Sequence, residues 1–454
     1  MSVVATRPMP SAPRPYHFPR FERTTLDNGL EVIVAPVHKL PVVTVMLVAG
    51  AGSSAEPAGR EGVANITARA LLEGTRRRDG NALTEQFERL GADVKAEAEW
   101  DSASISTTVL ASRLPHALAL LGEIVLEPAF PEREIERLVA ERLADILQLR
   151  TEPRGLADEM FARFLYDPAS RYARPEHGGS QTVSALTRAD VVAFHEARYR
   201  PAGSTIIIVG DVEVDDAVQL VRRALGDWRG SAPEAPVPMA RPARTTRCVH
   251  IVGKADAPQS ELRMGHVGLP RLTPDYFAVT VMSSVLGGVF SSRINLNLRE
   301  VHAYTYGAFS SFDWRRGAGP FMVSTAVKSD VTAAAAREIL LEIERIRRDA
   351  ISQDELTLAT SYLGGVFPIK YETTEAIANA LAILVVQHLP PDYFDRYRDN
   401  IRAVTIADVL HAADRHLHPD QLQLVVVGDP AAIRAPLAEL DFGPIEEHSA
   451  EAET

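Results

Sequence analysis

The sequence predicts an α+β protein built twice: two homologous domains, each an antiparallel-rich sheet flanked by helices. Three observations predict it. The first is a repeat: Ala185-Leu186-Thr187-Arg188-Ala189-Asp190-Val191 leads to Ile206-Ile207-Ile208-Val209-Gly210-Asp211, and Ala403-Val404-Thr405-Ile406-Ala407-Asp408-Val409 leads to Leu424-Val425-Val426-Val427-Gly428-Asp429. Thr187 and Thr405 are 218 positions apart, as are Gly210 and Gly428, and the helix heads at Pro131 and Ser352 are 221 apart. A near-constant offset through several elements marks a duplicated unit. The second is a mixture of β-branched runs with long amphipathic helices in each half. The third is the proline-rich stretch Gly230–Pro242 between them, which reads as an extended, semi-rigid linker.

In chain order, residues 1–19 carry prolines at 8, 10, 13, 15 and 19 and read as a flexible arm. Asn28-Gly29 between strand-like runs signals a hairpin. Val42 to Val48 is a nearly continuous β-branched run, expected as a buried strand, and Val94 to Ala98 with Ala103 to Leu110 alternate with period two. Amphipathic helices are expected over 134–149 and 333–348, with Ser352-Gln353-Asp354-Glu355 as a capping box for the next. The expected domains are 20–230 and 245–442, joined by a linker over 231–244, with a frayed acidic tail at 443–454. Helices are expected on one face of each sheet.

Composition narrows the function. A net charge of −12 argues against nucleic acid as main partner, because phosphate binding needs clustered Lys and Arg. A single cysteine, Cys248, excludes intrachain disulfides and multi-thiolate metal centres. There is neither a signal-peptide core nor an apolar run of about 18 residues. The expectation is a cytoplasmic protein without membrane partners.

The segment Gly62-Val63-Ala64-Asn65-Ile66-Thr67-Ala68-Arg69-Ala70-Leu71-Leu72-Glu73-Gly74-Thr75 resembles the metal helix of M16 peptidases, the pitrilysin/insulinase family, whose bacterial members are similar to mitochondrial processing peptidase. That family carries H-x-x-E-H there: two histidines on one helix face ligate zinc and the glutamate activates water. Asn65 and Arg69 stand at the histidine positions and Ala68 at the glutamate position. Arginine stays protonated and offers no lone pair. The resemblance extends through Leu26-Asp27-Asn28-Gly29-Leu30, Gly50-Ala51-Gly52-Ser53-Ser54-Ala55-Glu56-Pro57, Ser292 to Ala308, and Tyr362 to Ala378, in family order. It implies an M16-like fold whose two domains enclose a peptide-sized cavity.

The family's third zinc ligand, a glutamate, falls 76 positions beyond Arg69 at Asp145. One carboxylate without its imidazoles holds zinc poorly. Asp145 then reads as a solvated or ion-paired helix residue, and a pairing with Arg69 is one expectation. His195-Glu196-Ala197-Arg198-Tyr199 imitates H-E-x-x-H but ends in tyrosine. No zinc site is expected in this chain.

The family also carries, in its second domain, an arginine followed seven residues later by a tyrosine, facing the zinc and holding the substrate backbone or developing oxyanion. Arg299 and Tyr306 have that spacing. The alternative is that Arg299 caps a helix and Tyr306 enters a strand as a core aromatic. Gly287-Gly288 is expected to give the nearby backbone freedom. The resemblance implies the non-zinc subunit of a heterodimeric metallopeptidase. Its zinc-bearing homologue would supply the metal and water-activating glutamate, and peptides or unfolded segments would be the substrate. A catalytically inactive scaffold or peptide-binding protein is the alternative.

Overall fold

The computed structural model describes residues 15–232, 234 and 237–450. The hairpin at Asn28-Gly29 forms: β1 (Glu22–Thr25) runs antiparallel to β2 (Glu31–Pro36), and Gly29 takes φ +87°. With β3 (Val42–Ala49), β4 (Val94–Ala98), β5 (Ala103–Leu110) and β6 (Ser204–Gly210) it builds a six-stranded sheet in the order β1-β2-β6-β3-β5-β4. Its β2–β6 pair is parallel, with Val32 opposite Ile206, and the others are antiparallel.

The second half repeats the plan with β7 (Cys248–Gly253), β8 (Gln259–Val267), β9 (Ala308–Phe312), β10 (Pro320–Lys328), β11 (Gln423–Gly428) and β12 (Ile445–Ser449). Its order is β12-β7-β11-β8-β10-β9, so five strands follow the same path in both sheets. The added edge differs, β1 being antiparallel to β2 and β12 parallel to β7. The repeat reaches the caps. Thr187 and Asp190 close a capping box on the helix Arg188–Arg198, and Thr405 and Asp408 close its counterpart on Ile406–His416. Ser352 and Glu355 do the same for Gln353–Lys370.

Helices cover both faces of each sheet, not one. On one face of the first sheet, Val43, Val45 and Leu47 pack with Ile66, Leu121 and Val221 from helices of their own half. Met46, Val48, Ile207 and Val209 on the other face pack with Ile377, Leu381 and Leu384 of the helix Thr374–Val386, from the other half. The exchange is reciprocal: Leu156, Met160 and Phe161 of the helix Pro153–Leu165 pack with Val252, Val425 and Val427 of the second sheet. Strands buried on both faces read as continuous apolar runs, which explains Ile206 to Val209 and Leu424 to Val427.

Two expectations at the chain ends need correction. Residues 445–449, assigned to a frayed tail, form β12 and pair with Val249 to Gly253. The arm at 1–19 is anchored at its end: Phe18 is buried and stacks on Phe394 at 4.7 Å, while residues 1–14 lie outside the described residues. The linker's far end docks on the helix Pro153–Leu165, Ala243 N–H donating to Leu165 O at 2.9 Å; residues 233, 235 and 236 lie outside the described residues.

Candidate functional site

The metal-helix segment forms Val63–Ala70, starting from Gly62 at φ +102°. A side chain at Gly62 would meet His177 O and Val183 Cγ2, each at 2.9 Å, so both conformation and space require glycine. The helix's first amides are satisfied from below. Glu56 Oε1 accepts from Gly62 N–H and Ala64 N–H at 2.9 Å, and Arg171 holds Glu56 Oε2 at 2.6 Å. The Glu56 side chain is fully buried, and burial pushes its pKa up to about 7 despite Arg171 and the two amides. A carboxylate at this place satisfies orphan donors and suits the helix dipole.

On this platform Ala68 is buried, while Asn65 and Arg69 are partly exposed. The expected pairing of Arg69 with Asp145 is not made. Arg69 Nη2 donates instead to Glu141 Oε2 at 2.6 Å, one turn earlier on the helix Glu132–Thr151. Asp145 is exposed. Arg137 extends the network, reaching Glu141 at 2.5 Å and Glu73 and Glu134 at 2.7 Å, and it holds the Glu141 carboxyl below the usual range, with help from Arg69. Asn65, Ala68, Arg69 and Asp145 do not fit a catalytic zinc. The Arg69 guanidinium offers no lone pair and is engaged by Glu141, and no metal-spaced group of His, Cys, Asp or Glu among the described residues includes Asp145.

His195 is half-buried against the core. It stacks on Tyr199 with ring centroids 5.0 Å apart and meets the edge of Phe130, and burial lowers its pKa to about 4.

In the second half, Arg299 sits in the π-helical segment Leu296–Val301, where His302 N–H donates to Asn297 O, five residues back, at 3.1 Å. Such widened turns recur at functional sites. Ala303 then takes φ +54°, uncommon for alanine, and turns the chain outward. Two polar anchors, a buried one and a half-buried one, hold the segment from Tyr304 to Ala308. Asn295 donates to Phe290 O at 2.6 Å and accepts from Ala308 N–H at 3.0 Å; Thr305 donates to Ala326 O at 2.8 Å.

Between these anchors Tyr306 is 95% exposed and its hydroxyl makes no hydrogen bond among the described residues. It lies before β9, so the expectation that it enters a strand is wrong, and the core-aromatic alternative falls with it. Tyr304 stacks on His302 at 4.9 Å. Arg299 lies over the exposed Phe290 ring at 4.4 Å, and its Nε is 3.6 Å from Glu300. Gly287 does not act by backbone freedom: a Cβ there would collide with Ser310 Oγ, so the glycine permits close packing on β9. Neither Arg299 nor Tyr306 bonds Asn65, Arg69 or Asp145 among the described residues.

Sequence reasoning assigned no role to Glu56, Glu141, Asn295 and Thr305. Glu56 and Asn295 stood inside family-like stretches, and Glu141 lies one helical turn from Asp145 on the same face.

Comparison with known proteins agrees with this architecture. Residues 32–170 match the model described as insulinase (peptidase family M16), and 185–363 the model described as peptidase M16 inactive domain; together these span more than half of the chain. The chain is 27% identical over 417 residues to an uncharacterized zinc protease of Mycobacterium bovis, covering 91% of this chain and 94% of that protein. It is 27% identical over 275 residues to a probable mitochondrial-processing peptidase subunit beta of Schizosaccharomyces pombe, covering 59% of each. A peptidase M16 inactive domain from Pseudomonas fluorescens superposes with a TM-score of 0.86 at 26% identity, over 91% of this chain and 99% of that one. A Helicobacter pylori protease shares the fold, with a TM-score of 0.83 at 20% identity, over 91% and 100%. With two family models in tandem and the duplicated sheets beneath them, this chain belongs to the M16 peptidase family.

Proposed function

We propose that this chain is the non-zinc subunit of a two-chain M16 metallopeptidase, contributing Arg299 and Tyr306 to a site whose zinc and water-activating glutamate come from a homologous partner. The observation that carries the reading is the exposed phenol of Tyr306, held by Thr305 in a segment that begins just after Arg299. A phenol left in solvent with no partner adds nothing to the core, but it suits a site completed by another surface. Relatives called zinc proteases, and one called a subunit of a processing peptidase, support a proteolytic, multi-subunit setting.

Guanidinium and phenol both donate hydrogen bonds. Placed against a scissile carbonyl, they stabilise the oxygen as it gains charge, or hold the extended backbone of a peptide. The metal-helix positions of this chain take no part, because Ala68 has no base and Arg69 is engaged by Glu141. The substrate class is an extended peptide or unfolded segment.

The test mixes the purified chain with a homologue carrying intact H-x-x-E-H and follows cleavage of a fluorogenic peptide. The chain alone is expected to be silent and the mixture active. Mixing without any gain in activity sinks the reading and leaves an inactive scaffold or peptide-binding protein.

A further inference from the structure

A cavity of about 740 Å³ lies between the halves, away from both Arg69 and Arg299, with His250 and Glu446 in its wall. These two residues belong to a cluster that only the fold assembles. Cys248 and His250 alternate onto one face of β7, and Glu446 and His448 onto the same face of the neighbouring β12, with Glu446 opposite His250 in the parallel register. His250 Nδ1 is 3.2 Å from His448 Nε2 and 3.6 Å from Glu446 Oε2, and His448 Nε2 is 3.9 Å from Glu446 Oε2. The ligand atoms of Cys248, His250 and Glu446 lie within 4.8 Å of one another; His448 stands outside that distance from the full set and reaches it only through His250 and Glu446, so it completes the site by moving inward on the edge strand. Tetrahedral zinc with nitrogen, oxygen and sulfur ligands separates its donors by roughly 3.3–3.6 Å.

We infer that Cys248, His250, Glu446 and His448 form a binding site for one Zn²⁺-class metal ion, which clips the last strand to the second sheet. Two imidazoles, a thiolate and a carboxylate are a donor set for zinc or cobalt rather than magnesium or calcium.

The surroundings are those of a prepared site. Gln423 is buried and its amide nitrogen donates to Thr246 O at 2.9 Å and Gln421 O at 3.0 Å, which fixes its oxygen as an acceptor. That oxygen lies 3.2 Å from His250 Nε2, so Nε2 carries the proton and Nδ1 turns a lone pair toward the cluster. Outer partners of this kind orient metal-binding histidines. Arg244 engages Glu446 Oε1, leaving Oε2 to face the imidazoles. Phe164 lies against both rings, with centroids 4.3 Å from His250 and 4.2 Å from His448, and limits their rotation. His250 is 2% exposed and 198 residues from His448 in sequence, which is why no motif revealed the site.

The site and the peptidase reading fail separately, since no residue is shared. The test equilibrates the tag-free full chain with ZnCl₂, passes it through gel filtration, and counts the metal. About one zinc per chain is expected, and Co²⁺ in its place is expected to give a thiolate-to-metal charge-transfer band. His448→Gln, Cys248→Ser and Gln423→Leu are each expected to weaken binding at least about tenfold, whereas Asn65→Ala with Arg69→Ala leaves it unchanged. His448 lies on the edge strand and is partly exposed, so an unchanged metal-free unfolding midpoint checks that its variant folds. A chain that retains no zinc overturns the inference, as does zinc retained equally by His448→Gln and Cys248→Ser.

Discussion

Arg69 donates to Glu141 at 2.6 Å from the helix position where M16 metal helices carry their second histidine. Both side chains remain substantially exposed, at 33% and 42%. Such a pair contributes only about 0–1 kcal/mol. Arg69→Ala is therefore expected to shift the urea midpoint little. A loss above about 2 kcal/mol would mean that the pair is a structural keystone.

The pair beneath the same helix behaves differently. Glu56 and Arg171 are 0% and 9% exposed, and Glu56 also accepts two helix amides. Glu56→Ala removes the carboxylate from the buried Arg171 guanidinium, leaving it backbone carbonyls such as Ser53 O and Glu176 O, and leaves two helix amides unpaired. The expected cost is about 3–5 kcal/mol, read by chemical denaturation.

Tyr306 and Arg299 carry no weight in the fold. Tyr306→Phe and Arg299→Ala are expected to change stability by less than about 0.5 kcal/mol. A large stability loss in either would assign the pair a packing role.

Two desolvated histidines set an acid sensitivity. Burial lowers His195 to about 4 and His266 to about 3, against an ordinary value near 6.5. The unfolded chain binds these protons first as pH falls. The stability tied to the neutral rings is therefore whole above about pH 6.5 and is lost progressively as pH drops toward their folded values. Glu56 and Glu176, which burial raises to about 7, act in the opposite sense over the same window. The histidine contribution is therefore read directly: the ring-proton signals of His195 and His266 in the folded chain are expected to stay constant between about pH 7 and pH 5, and a titration there contradicts it.

The exchanged helices make the halves interdependent. Leu381 is fully buried in the cluster that holds Ile207 and Val209 of the first sheet. Leu381→Ala is expected to cost about 2–5 kcal/mol and to lower the unfolding of both halves in one calorimetric transition. Two separate transitions, with only the second shifted, would contradict the exchange.

The sequence carried the local signals well and the long-range ones poorly. Period-two alternation placed β4 and β5, and the Ser352–Glu355 box placed the head of its helix, because those signals are local. It did not reveal that Thr374–Val386 lies on the other half's sheet, since an apolar helix does not name its partner. Glu446 and Glu447 made β12 look like a solvated tail, although an edge strand tolerates charge. In the candidate site, the identities of Asn65, Ala68 and Arg69 could be read directly. The choice of Glu141 over Asp145 needed helix geometry, and the exposure of Tyr306 needed the Ala303 turn.

The most direct measurement moves mutations between the two places in one reconstituted mixture with a zinc-bearing homologue. Asn65→Ala with Arg69→Ala in this chain is predicted to leave peptide cleavage within about twofold, while Arg299→Ala lowers kcat by about 100-fold. Cleavage lost with the first pair, or intact with Arg299→Ala, contradicts a site built on Arg299 and a partner's zinc.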